Sequence, residues 1–288
     1  MTERTLGVIG GSGLYELPGL DGVGYERVAT PFGDPSEEIV TGRLGGTRLL
    51  FLPRHGRGHR ILPSELPFRA NLWALKSLGA ECVLAVSAVG SLREEIAPGH
   101  VVVPDQFIDR TRGRQAESTF FGRGVVAHVQ FADPFCGPLS RALGEAASSV
   151  GATVHAGGTY VCMEGPAFST RAESELYRSW GAHVIGMTNL QEAKLAREAE
   201  LCFATLALAT DYDCWHEAHD DVHIDDILRV LAANVDLARR TVAALAPRLP
   251  GRDGCGCGQA LAHAIITDRA VIPAEVKRDL APIAGRYL

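Results

Sequence analysis

Short apolar runs alternating with stretches of helical periodicity set the pattern of this chain. The runs at 5–9, 48–52, 82–87, 100–103, 155–162, 183–187 and 204–210 are of strand length, with apolar residues in succession as in strands buried on both faces. Between them, 67–78 carries apolar residues at helical spacing and stops at Gly79, and 138–150 stops in the same way at Gly151. The segment 169–180 starts on Ser169, a helix-capping residue type, and ends at Gly181. Residues 189–198 are rich in Ala, Leu and Glu, and 225–246 form a long amphipathic pattern halted by Pro247. This alternation predicts an α/β fold, a central mixed sheet flanked by helices. Residues 104–133 show no clear periodicity, and a loop of that length inside a compact unit is more often functional than idle. The glycine-rich stretch near 251 is the candidate linker. It separates an α/β domain over 1–250 from a turn and helical extension, 251–288, expected to pack on the same domain.

Composition narrows the function more than the fold. With 288 residues, 46% hydrophobic and 22% charged, the chain can bury a large core. A net charge of -6, from 28 Lys and Arg against 34 Asp and Glu, offers no general attraction to nucleic acid or to an anionic membrane. Any anion site must be local. No secretory signal precedes the first strand and no apolar run reaches membrane-spanning length, so the expected location is the cytoplasm. The seven cysteines are scattered and odd in number, which reads as buried thiols and not as a secreted disulfide framework. Cys255-Gly-Cys257 stands apart within a glycine-rich segment. A zinc site there would need two further ligands that the sequence does not single out, leaving a strained local disulfide or two free thiols as the expectation.

Three strand ends carry anion-binding chemistry. Leu49-Leu-Phe-Leu52 leads into Arg54, His55, Arg57, His59 and Arg60, a cluster suited to charge-assisted bonds with a phosphate-sized anion. Val8-Ile-Gly-Gly-Ser-Gly13 is a glycine-rich turn whose amides and Ser12 hydroxyl suit the same ligand, although it fits neither the dinucleotide fingerprint nor the Walker A pattern. Val86-Ser-Ala-Val-Gly-Ser91 is a second small-residue turn, and α/β sheets bind ligands at such strand ends. Thr210-Asp-Tyr-Asp213 places two carboxylates at i and i+2 after a strand, so persisting extended geometry would point both to one side. A close, partly dry pair raises one pKa, making one member a proton donor near neutrality. Phe168, in a loop before a helix, reads as either core or a stacking wall.

Taken in order, Gly10-Gly-Ser-Gly13, Thr30-Pro-Phe-Gly33, Arg54-His-Gly-Arg-Gly-His59, Arg69-Ala-Asn-Leu-Trp73, Gly90-Ser-Leu-Arg93, Asp105-Gln-Phe-Ile-Asp109, Glu164-Gly-Pro166, Phe168-Ser-Thr-Arg-Ala-Glu173, Gly186-Met-Thr188 and Ala209-Thr-Asp-Tyr-Asp-Cys-Trp215 form a series. It resembles the trimeric purine nucleoside phosphorylases, in particular the branch acting on 5′-methylthioadenosine, over roughly residues 6–250. The resemblance implies a single-domain nucleoside phosphorylase-like fold and a homotrimer. It also implies phosphorolysis to adenine and 5-methylthioribose 1-phosphate, with phosphate as co-substrate and no metal or organic cofactor.

Residue by residue, it implies that Ser12, Arg54, His55, Ser87, the Ala88 amide and Thr188 hold the attacking phosphate. Phe168 would stack on the purine, Met187 pack by the ribose, and Asp211 and Asp213 face N7 and the 6-amino group, with Asp211 as the donor. Ile224, Ile227 and Leu228 would form the 5′ pocket, joined by His128 from across the trimer interface. A carboxylate at 213 suits an exocyclic amine better than a 6-oxo group, favouring adenine over hypoxanthine. The chain differs from some family members in three places: Gly186 stands where some carry Asn, Ala167 where Arg is common, and Thr188-Asn-Leu-Gln-Glu192 differs from the Pro-Glu ending of other branches. A phosphorylase preferring methylthioinosine, adenosine, inosine or a 5′-modified analogue, a nucleosidase using water, and a non-catalytic nucleoside-binding protein are the alternative readings.

Overall fold

The computed structural model describes residues 3–11, 13–216 and 224–288, apart from the side chains of 224–229 and 231. Its strands are β1 (Arg4–Gly10), β2 (Asp21–Glu26), β3 (Ile39–Leu44), β4 (Thr47–Pro53), β5 (Cys82–Ser91), β6 (Val101–Val103), β7 (Gln106–Arg110), β8 (Val154–Ala156), β9 (Thr159–Met163), β10 (Val184–Gly186) and β11 (Cys202–Asp211). The helices are α1 (Phe68–Ser77), α2 (Gly137–Ser149), α3 (Arg171–Ser179), α4 (Asn189–Glu198), α5 (Ile224–Leu245), α6 (Ala274–Asp279) and α7 (Ala281–Ala284). Together they form the mixed sheet flanked by helices that the sequence predicts.

β5 is the hub of the sheet. It pairs parallel with β1 on one side and with β11 on the other, and its last residues pair antiparallel with β10. The chain of pairing runs β2-β3-β4-β1-β5-β10-β9-β7, with β11, β6 and β8 branching from β5. Alternation within the central strands covers both faces. Val83 and Ala85 of β5 join Leu50 and Leu52 of β4 under α1 and α4, whereas Leu84 and Val86 join Leu49 and Phe51 under α2 and α5. Continuous apolar runs arise because neither face meets water.

Several expected boundaries are corrected. β2 and β7 escape the hydrophobic pattern because they are edge strands, β2 solvent-facing and β7 half-buried and only five residues long, and β3 forms a hairpin with β4. The run 155–162 is two strands, broken where Gly157 and Gly158 take positive φ. Thr170, not Ser169, caps α3: its hydroxyl accepts from the Glu173 amide at 3.2 Å, and the Glu173 carboxylate accepts from the Thr170 amide at 2.8 Å.

The glycine-rich stretch is no free linker. Cys257 is buried, and the chain beyond it packs Leu261, Ile272, Val276 and Ile283 into the cluster that holds Leu72, Leu75 and Phe203. The Trp73 indole donates to the Asp279 carbonyl at 2.9 Å, and the Tyr287 hydroxyl donates to Glu200 at 2.8 Å. The long loop is tied to the same extension through the His128 amide and the Ala264 carbonyl. Among the described residues no helix is long and apolar enough to cross a membrane.

Candidate active site

β1, β4, β5 and β11 run parallel, so their C-terminal ends share one edge of the sheet. A cleft of about 580 Å³ opens there, roofed by Asn234, Val235 and Ala238 of α5 and by the start of α4. It is lined by Arg54, His55, Ser87, Ala88, Phe168, Met187, Thr188, Asp211 and Asp213 together. Of the other residues singled out in the sequence, Ser12 and the side chains of Ile224, Ile227 and Leu228 lie outside the described residues. His128 lines a separate cavity of about 540 Å³ and does not join the cleft of its own chain.

One end of the cleft is built for an anion. The Arg54 guanidinium is 4% exposed and held in one plane by Glu192, donating from Nε to Oε1 at 2.5 Å and from Nη2 to Oε2 at 3.0 Å. Its Nη1 also donates to the Val86 carbonyl at 2.8 Å, and Asn189 Nδ2 steadies Glu192 at 2.9 Å. Thus the Asn-Leu-Gln-Glu run, which differs from the ending of other branches, supplies the carboxylate that orients Arg54. Thr188 is the N-cap of α4, yet its hydroxyl makes no capping bond. The first amides of that helix and its dipole add to the pull on an anion.

His55 is neutral at physiological pH. Burial pushes its imidazole down to about 4, with Arg54 and His59 adding repulsion. Nδ1 lies 2.8 Å from the Ile61 carbonyl, so it carries the hydrogen and Nε2 is left as an acceptor.

Tyr160 explains a second difference. Its fully buried hydroxyl lies 3.2 Å from Ser87 Oγ, and a Cβ on Gly186 would come within 1.9 Å of it. The tyrosine takes the space of a side chain at 186 and steadies Ser87 at the same time. Gly186→Ala is expected to destabilise the fold by roughly 1–3 kcal/mol through overpacking, readable as a lower urea midpoint. An unchanged midpoint would mean that Tyr160 moves freely.

The opposite end is acidic. The β11–β5 register shifts between Ala209 and Asp211, and Asp213 opens a 3-10 turn with φ of 52°. Extended geometry therefore does not carry both carboxylates; a bulge and a left-handed turn bring them together. Asp211 Oδ1 accepts from the Asp213 amide at 2.8 Å and Oδ2 from the Thr210 hydroxyl at 2.6 Å. Asp213 Oδ2 is buried without a partner among the described atoms. Gly90 makes room for the pair, since a Cβ there would lie 3.1 Å from Asp211 Oδ1.

Burial raises the pKa of Asp211, and burial together with repulsion from Asp211 pushes Asp213 up to about 6. A raised folded pKa means that the native state binds the extra proton between about 6 and the ordinary 3.8. The charge at 213 thus destabilises the fold above that window, and acidification through it removes the cost. Asp213→Asn is expected to be more stable than the parent at pH 8, by on the order of 1–3 kcal/mol, with the advantage gone near pH 4. Paired urea titrations at the two pH values read this.

The side walls come from two loops. Phe168 is 52% exposed on the loop after Gly165-Pro166, and Gly165, at φ of 69°, lets Met187 approach where a Cβ would lie 2.5 Å from its sulfur. Arg114, from the aperiodic stretch 104–133, is buried and donates to the Met187 and Glu164 carbonyls and, at 3.1 Å, to the Glu164 carboxylate. It anchors the loop next to Ala167. Glu192, Tyr160 and Arg114 were not singled out as site residues in the sequence, and only Glu192 stood in a quoted motif.

Comparison with known proteins bears on this geometry. The sequence profile of the phosphorylase superfamily matches residues 5–247. The S-methyl-5′-thioadenosine phosphorylase of Geobacter sulfurreducens is 60% identical over 99% of this chain and 100% of its own. The chain belongs to the S-methyl-5′-thioadenosine phosphorylase family. A crystal structure of a family member from an Antarctic soil metagenomic library matches with a TM-score of 0.91 and 45% identity, covering 98% of this chain and 99% of that one. The S12T mutant of the adenosine/methylthioadenosine phosphorylase of Schistosoma mansoni, solved with methylthioadenosine, matches with a TM-score of 0.82 and 37% identity over 90% of this chain and 96% of its own. Family membership thus extends across both ends of the cleft and the strands that build it.

Proposed function

We propose that this protein cleaves 5′-methylthioadenosine with inorganic phosphate, giving adenine and 5-methylthio-α-D-ribose 1-phosphate, in purine and methionine salvage. The observation that carries the reading is the polarity of the cleft: an anion-binding end and a carboxylic-acid end face the same space. The Schistosoma relative, solved with methylthioadenosine, supports the choice of nucleoside.

Arg54, Ser87, the Ala88 amide and Thr188 hold phosphate, with Ser12 from the glycine-rich turn, and the neutral His55 accepts at Nε2 from the phosphate's remaining P–OH. A phosphate oxygen attacks C1′ as the bond to N9 breaks, and the bonding electrons pass to the purine. Cationic character on the ribose is stabilised by phosphate, and negative charge on the purine by a proton at N7. The Asp213 carboxylate accepts from the 6-amino group, which favours its charged form. Repulsion within the pair then keeps the proton on Asp211, the donor to N7. Phe168 stacks on the base and Met187 packs against the ribose. Ile224, Ile227 and Leu228 surround the 5′ substituent, with His128 supplied by a neighbouring subunit of a cytoplasmic homotrimer. An aliphatic 5′ pocket discriminates methylthio from hydroxyl by only ~1–3 kcal/mol. The mechanism calls for no organic cofactor.

The test is product release from 5′-methylthioadenosine, methylthioinosine, adenosine and inosine, each with and without phosphate. Adenine released only with phosphate, fastest from the methylthio substrate, supports the reading. Dominant hypoxanthine release would overturn the role of Asp213, and equal release without phosphate would make the protein a hydrolase.

A further inference from the structure

Away from the cleft, four cysteines distant in sequence meet. The sulfur atoms of Cys136, Cys202, Cys255 and Cys257 all lie within 4.8 Å of one another. Those of Cys202 and Cys255 are 3.5 Å apart, and all four are free thiols. A disulfide needs about 2.05 Å between sulfurs. Four sulfurs arranged tetrahedrally about 2.3 Å from a zinc ion stand about 3.8 Å from one another. The observed spacing fits the second arrangement.

Each ligand comes from an element with its own reason to be there. Cys136 is the N-cap of the thirteen-residue α2, where the first-turn amides and the helix dipole favour a thiolate. Cys202 is the first residue of β11. Cys255 and Cys257 come from the glycine-rich turn, which is bent back on itself by a bond from the Cys255 amide to the Arg252 carbonyl at 3.2 Å. Three of the four are buried, and Cys255 is half-buried. Cys136, Cys255 and Cys257 line the separate cavity of about 540 Å³, which gives an ion a way in. The same turn holds Arg252, whose buried Nε has no hydrogen-bond partner among the described atoms. Its Nη2 donates to the Glu200 carbonyl, but the Nε N–H is left short of an acceptor, which suits a neighbourhood that gains negative charge.

The geometry points to a structural metal site in which Cys136, Cys202, Cys255 and Cys257 hold one zinc ion as a closed tetrathiolate centre. Binding displaces four thiol protons to solvent and leaves a centre of charge −2, with no oxidation or reduction. With all four positions filled by protein the ion has no open place for substrate, so its role is to hold structure. It clips the segment 251–288 to β11 and α2. The Cys-Gly-Cys pair seen in the sequence is half of this set, and the fold supplies the other half.

The test uses the full chain, produced in zinc-supplemented medium and purified under reducing conditions. Elemental analysis is expected to give one zinc per chain. Replacement by Co²⁺ is expected to give a thiolate-to-metal charge-transfer band that saturates at one equivalent. The Cys255→Ser, Cys257→Ser double variant should lose both the zinc and the band; should that variant fail to fold, cobalt titration of the unaltered chain still decides. Thiol alkylation of a second preparation, purified without reductant and denatured with chelator, should label all seven cysteines. Labelling of only five or only three would show one or two disulfides in place of the metal and overturn the proposal. Seven labelled thiols with no zinc and no cobalt band would overturn it equally, reducing the cluster to packed thiols.

Discussion

Asp211→Asn is expected to lower turnover of 5′-methylthioadenosine by on the order of 10²-fold or more while nucleoside binding changes little. The amide keeps the shape of the carboxyl: its one oxygen can take the Asp213 amide bond, 2.8 Å in the parent, while the Thr210 hydroxyl, which donates to the other oxygen at 2.6 Å, can turn and accept from the new NH2. What it lacks is a proton acidic enough to pass to N7 as charge builds on the base. The donor sits half-buried at the end of β11, where burial already raises its pKa, so solvent is a poor substitute. Asp213→Asn should behave differently. It exchanges the carboxylate acceptor for a group that can also donate, narrowing the preference for 6-amino over 6-oxo purines by about tenfold or more. Single-turnover kinetics on the nucleosides separate the two. Full turnover by the Asp211 variant would remove that residue from the role assigned to it.

Glu192→Ala is expected to destabilise the protein by about 3–5 kcal/mol, because it leaves a buried guanidinium without its counter-charge. Glu192 is 1% exposed and Arg54 4%, so water cannot take over the lost contacts. The pair itself need not be a large source of stability, since desolvating both ions offsets most of their attraction. Its value lies in geometry: a guanidinium pinned at two nitrogens presents a fixed face to the cleft. Saturating phosphate should recover part of the loss, about 2.7 kcal/mol at a hundredfold excess over Kd. Urea unfolding of both proteins with and without phosphate reads the effect. A variant as stable as the parent, and no better rescued by phosphate, would show that Arg54 is held by other means.

The central strands were legible in the sequence because both their faces are buried, which makes their apolar residues contiguous. β2 and β7 were not: β2 faces water and has no need of hydrophobic alternation, and β7 offers only Phe107 and Ile108 to the core between polar ends. The cleft was legible where its chemistry sits at strand ends, as Arg54, Ser87 and Asp211 do. Its supports were hidden for a different reason. Glu192, Tyr160 and Arg114 act by contact with residues remote along the chain: Arg54 meets Glu192 across 138 positions. The pairing of Asp211 with Asp213 was expected for the wrong cause, because a bulge and a turn achieve what an extended strand was taken to do. The cysteine cluster shows the same limit, for a spacing rule finds ligands close in sequence, and Cys136 and Cys202 are not.

β11 has a cysteine of that cluster as its first residue and the proposed proton donor as its last. A ten-residue strand sets the two about 30 Å apart. No substrate can feel one end while occupying the other, yet both depend on the same ladder of hydrogen bonds to β5. Damage at the cysteine end would therefore leave the Michaelis constant of surviving molecules untouched and reduce how many survive, so that ageing of a preparation would register as a falling active fraction.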